Sequence, residues 1–93
     1  MNDENSIFIG TKPFMNYVTG VVMQCTTKSA NEVTIKARGK FITKAVDVAE
    51  ASTKRFLQNN ISINDIRVNS EEFTSKEGKN IRVSTIELVL GRK

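Results

Sequence analysis

The chain has 93 residues, 39% hydrophobic and 26% charged, which is the composition of one folded domain rather than of a disordered tail. Fourteen Lys and Arg against ten Asp and Glu give a formal charge of +4 and an isoelectric point near 9.5, a balance that favours polyanionic partners. Histidine is absent and cysteine occurs once, so His-dependent catalytic triads, CxxC redox pairs and His/Cys metal sites are excluded. A phosphate-binding GxGxxG or P-loop is also missing. Asp47 and Glu50, three residues apart, read as a solvated helix face. The expectation is a protein without catalytic activity, metal or cofactor.

Residues 1–5 read as a solvated tail and 6–93 as a single domain. The polar start MNDENS lacks the apolar stretch of a signal peptide. No apolar run approaches the roughly 20 residues of a membrane span. Cys25 reads as a reduced, buried thiol, and a cytoplasmic location is expected. Ser6–Ile9 forms a short first strand ended by Gly10. Thr11-Lys12-Pro13 opens a helix, since proline suits a first turn whose N–H groups lack partners. Phe14, Val18, Val21, Val22 and Cys25 then recur at spacings of three and four as far as about Thr27. From Glu32 to Arg38 the pattern alternates, with Val33, Ile35 and Ala37 on one face of a half-buried strand. Gly39 interrupts it. A second helix follows over Phe41–Leu57, with Ile42, Ala45, Val46, Ala49 and Phe56 on its apolar stripe and Asn59-Asn60 at its end.

The remainder reads as a long hairpin, Ile61–Phe73 and Ile81–Leu90, around a polar turn. Pairing residues whose numbers sum to 154 sets Glu72 opposite Arg82, Arg67 opposite Glu87 and Phe73 opposite Ile81. The same register sets Val68 opposite Ile86 and Ile66 opposite Leu88, so charges and apolar partners both match. Each strand also shifts its apolar phase, which indicates a bulge or a sheet apolar on both faces. On the second alternative, Ile66, Val68, Ile86 and Leu88 form a face that another copy of the chain would cover. The order is βαβαββ: an α+β two-layer sandwich, a four-stranded mixed sheet with both helices on one face.

Lys36, Arg38, Lys40 and Lys44 form the densest charge cluster, with no acid between Val33 and Val46. Two leave the solvent face of a strand and two start the next helix, where unpaired N–H groups attract phosphate. The turn Gly10-Thr11-Lys12-Pro13 adds a cation, a hydroxyl and backbone N–H groups. In a βαβ unit both turns emerge at the same sheet edge, so together they make one basic surface. Lys76, Lys79 and Arg82 place further cations on the hairpin, among Glu71, Glu72 and Glu77. Phosphate contacts of this kind carry no sequence information. Phe41 is a candidate for base stacking, Tyr17 a weaker one, and the aromatic pair of an RNA-recognition motif is absent.

Taken together, IGTKPFMNYV (9–18), IKARGKFITKAVDVAE (35–50), RFLQNNISINDIRVNS (55–70) and IRVSTIEL (81–88) resemble the Alba (Sac10b) chromatin proteins of archaea. The resemblance runs from Ile7 to Arg92. It implies the βαβαββ fold shared with the C-terminal domain of translation initiation factor three. It further implies a homodimer bound to double-stranded DNA, and often RNA, largely without sequence preference. The nucleic-acid contacts it implies fall on Lys12, Asn16, Arg38, Lys40 and Lys44, with Arg82 on the arm. A cooperative dimer–dimer contact falls on Phe56. The family loop commonly carries two lysines before its proline, the first of which can be acetylated; here that first position is Thr11. The expected function is a chromosome-associated protein that coats or compacts DNA. The alternative is an RNA-binding ribonucleoprotein subunit or RNA chaperone whose DNA binding is incidental.

Overall fold

The structure is a computed structural model that describes residues 5–28, 30–57 and 60–92. Its order is β1 (Ser6–Phe8), α1 (Phe14–Thr26), β2 (Glu32–Arg38), α2 (Ile42–Ala51), β3 (Ile61–Thr74) and β4 (Asn80–Arg92). The strands form one mixed sheet in the order β1-β2-β4-β3. β1 runs parallel to β2, whereas β4 is antiparallel to both β2 and β3. The expected α+β arrangement is therefore present, with one correction at the start: Asn5, assigned to the tail, is tied to the sheet. Its carbonyl accepts the Thr34 N–H at 2.9 Å. Residues 1–4 of that tail, and Asn59 at the end of the second helix, lie outside the described residues.

The core follows the alternation of β2. Val33, Ile35 and Ala37 are buried beneath Val18, Val21 and Cys25 of α1 and Ala45, Val48 and Ala49 of α2. α1 is rich in valine and threonine, poor helix formers that leave its stability to this apolar packing. Burial pushes the Cys25 thiol above its ordinary pKa, against an opposing pull from Arg92. The hairpin register is the expected one, from Phe73↔Ile81 to Asp65↔Val89. Beyond that the pairing slips at Ile63/Asp65, so the phase shift of β3 marks a bulge, whereas β4 is regular there and carries Ile81 and Val83 on the face opposite Ile86 and Leu88. Gly91 makes room for it, because a Cβ there would collide with the Asn64 amide.

Two expectations are overturned by packing. The second helix does not keep its period: from Ser52 to Phe56 it widens into a π turn, closed by a Leu57 N–H to Ser52 O bond of 2.9 Å. The extra residue in that turn carries Leu57 into the core and leaves Phe56 51% exposed. Val46 is likewise exposed, and Val48 takes its place on the stripe. The second correction concerns Ile66, Val68, Ile86 and Leu88. Leu88 pairs with both Ile35 and Ile66, and Ile86 with both Ala37 and Val68. All four therefore share the helix-facing side of the sheet. Leu88 is 2% exposed in the core, whereas Ile66 and Val68, at 58% and 73%, lie on the outer strand.

Candidate nucleic-acid interface

β2 ends its pairing at Arg38↔Thr85, while β3 and β4 continue together as far as Thr74↔Asn80. From Ser70↔Ser84 outward the hairpin is thus a two-stranded arm, in a molecule measuring 48 × 27 × 19 Å. A turn around Gly78, whose φ is +81°, closes the arm. Lys76, Lys79 and Arg82 are exposed on it. Arg82 is held by Glu72, with Nη2 to Oε1 at 2.6 Å. Among the described residues Lys76 and Lys79 form no ion pair.

At the base of the arm the chain turns through Gly39, whose φ of +58° lies in the left-handed region that favours glycine. A short 3₁₀ turn, Gly39–Phe41, then leads into α2 and exposes Lys40. On the solvent face of β2, Lys36 lies over the Phe8 ring at 5.5 Å. Arg38 donates to Glu71 across the sheet at 2.9 Å. Both partners of that ion pair are more than half exposed, so it contributes only about 0.2–1 kcal/mol and can be exchanged for a phosphate.

The two βα turns do come together, as their common sheet edge requires, but the means was not legible in the sequence. Lys44 Nζ donates to the carbonyls of Gly10, at 2.8 Å, and Lys12. It also lies 5.1 Å from the centre of the Tyr17 ring. Its charge therefore fastens the start of α2 to the β1–α1 loop and is not a free phosphate contact. Tyr17 is buried, which removes it as a stacking surface. Its hydroxyl accepts the N–H groups of Gly10 and Lys12 at 2.9 and 3.1 Å. Those two donors, expected to face an anion, are spent on holding the loop. Nothing in the local sequence marks Tyr17 for this role, since its partners are brought to it by the turn.

What the arrangement offers is an exposed edge with Thr11, Lys12 and Asn16 on one turn and Arg38 and Lys40 on the next. Lys12 and Asn16 line a shallow depression with Tyr17 and Thr19. Among the described residues, no group of three or more His, Cys, Asp or Glu is placed to hold a metal ion. No helix of the described residues is long and apolar enough to cross a membrane.

The family model described as Alba matches residues 5–70. The chain belongs to the Alba family. It is 48% identical over 90 residues to the DNA/RNA-binding protein Alba 1 of Archaeoglobus fulgidus, covering 97% of this chain and 98% of that one. It is 51% identical over 88 residues to the DNA/RNA-binding protein Alba of Nanoarchaeum equitans, covering 94% and 97%. Among solved structures, Alba from Thermoplasma volcanium superposes with a TM-score of 0.85 at 45% identity, covering 95% of this chain and all of that one. ALBA1 from Trypanosoma brucei shares the fold at 22% identity and a TM-score of 0.70, covering 99% of this chain and 72% of that one. This Alba-family chain thus keeps the family's fold across nearly its whole length.

Proposed function

We propose that the chain is a chromosome-associated protein that binds double-stranded DNA largely without sequence preference, and RNA as a second ligand. One observation carries this reading: Lys44 pins the two βα turns into a single edge from which Lys12, Arg38 and Lys40 project. Such an edge matches the spaced charges of a phosphate backbone. The arm, with Lys76, Lys79 and Arg82, extends the same contact along a groove. The relatives' names, which give both DNA and RNA, support the class of ligand. Two duplexes of equal length and unrelated sequence should bind with equal affinity in a direct titration; a tenfold preference for one would contradict the reading.

The functional unit is a homodimer. Its support is the pair Ile66 and Val68, exposed but continuous with the buried Ile86 and Leu88. Dimers then meet one another on nucleic acid through Phe56. Phe56→Ala should shift the melting temperature by no more than about 2–4 °C, because the ring is half exposed and surface changes cost within about 0.5 kcal/mol. Binding to long DNA should lose its cooperativity. A large drop in melting temperature would instead return Phe56 to the core.

A further inference from the structure

Phe8 is the most exposed aromatic ring, at 63%. It does nothing for the core. It leaves the end of β1 on the solvent side of the sheet, where its Cα partner is Lys36. A cavity of about 550 Å³ opens there, lined by Phe8, Lys36, Arg38, Lys40 and Phe41, with two carboxylates in its wall, Glu71 on the arm side and Glu87 beside Lys36. That volume falls within the range of roughly 300–1,000 Å³ typical of small-ligand sites. Each ring carries its own cation, with Lys36 5.5 Å from the centre of Phe8 and Lys40 5.4 Å from that of Phe41. Glu71 is engaged by Arg38 at 2.9 Å and Glu87 by Arg67 at 3.7 Å, so neither carboxylate is a bare negative charge.

Flat apolar faces set between cations match one ligand chemistry closely. A nucleotide has a π face to stack and a phosphate to neutralise, and it offers the face only when unpaired. We propose that this cavity takes an unpaired nucleotide of a single strand, its base against Phe8 or Phe41 and its phosphates against Lys36, Arg38 and Lys40. The site rests on the nucleic-acid-binding reading and adds to it a preference for unpaired segments that the exposed edge alone would not produce. Phe8 suits the test because its exposure lets it change without disturbing the core.

Labelled oligo-U, oligo-dT and a blunt duplex of the same length are titrated with the wild-type protein and with Phe8→Ala, Phe8→Tyr and Phe41→Leu at one salt concentration. Phe8→Ala should weaken both single strands by about 5- to 100-fold, the loss of one stacked base, and change duplex affinity less than twofold. Phe8→Tyr should restore single-strand binding, and Phe41→Leu should weaken it. Equal losses on oligo-U and oligo-dT place recognition on the base face and phosphate that the two strands share. Since the chain has no tryptophan, Phe8→Trp supplies a single fluorophore that oligo-U should quench and duplex should not. Unchanged single-strand affinity in Phe8→Ala, or equal loss on duplex and single strands, overturns the site while leaving duplex binding intact. A change in oligomeric mass with unaltered single-strand binding assigns Phe8 to a contact between copies and also overturns it. Absence of any binding by the wild-type protein removes both the site and the reading beneath it.

Discussion

A Val68→Asp protein should fold normally and sediment as a monomer, whereas Leu88→Asp should fail to fold. The two residues lie on the same face of one hairpin, yet their surroundings are opposite. Val68 is 73% exposed on the outer strand, so a carboxylate there stays hydrated in the single subunit. In a dimer it would be enclosed without a partner, at a cost of several kcal/mol. Leu88 sits beneath the helices among Ile35 and Leu90. A charge there is unpaired in the subunit itself, and a cost of about 3–5 kcal/mol is a large share of the roughly 5–15 kcal/mol that holds a small domain folded. Sedimentation together with circular dichroism separates the two outcomes. A dimeric Val68→Asp protein would place the interface elsewhere.

Arg38→Ala should weaken binding to every duplex alike, by roughly tenfold or more at low salt, since a charge-assisted hydrogen bond contributes about 1.5–3 kcal/mol. Loss of Arg38 also releases Glu71, whose carboxylate then faces the phosphates unpaired. Glu71→Gln should act in the opposite direction. With no carboxylate to exchange for a phosphate, Arg38 is more available and affinity should rise by up to about fivefold, the scale of an exposed ion pair. Filter binding or anisotropy on several sequences checks both variants. A change in which sequences bind would mean that Arg38 reads bases.

Much of this was legible in the sequence because strand pairing constrains residues two at a time. Glu72 with Arg82 and Val68 with Ile86 agree on one register, and the displaced phase of Ile61 and Ile63 marks the bulge found at Ile63/Asp65. Which face the helices cover, and how far they reach, depends on tertiary packing instead. The pairing partners of Ile66 could be read, but not that α1 and α2 stop short of it. The π turn at Ser52–Phe56 was hidden for a related reason. Period alone puts Phe56 in line with Ala49, and only the widened turn rotates it outward. The basic cluster was visible as charge, although charge does not say what a lysine touches. Lys36, Arg38 and Lys44 lie close in sequence, yet their side chains go to an aromatic ring, a carboxylate and two carbonyls. Tyr17 left no local mark because its two donors come from a loop ordered by the fold.

The central claim is that affinity resides in phosphate contacts, and salt titration of the wild-type protein on duplex DNA tests it most directly. Each neutralised phosphate releases counterions and lowers the slope of log affinity against log salt by about 0.9. Lys12, Arg38 and Lys40, doubled in a dimer, predict a straight line with a slope of about −5 from the edge alone, steeper by about 0.9 for each arm cation that also meets a phosphate, and the same on duplexes of unrelated sequence. Affinity that hardly changes with salt, or slopes that differ from one sequence to another, would contradict it.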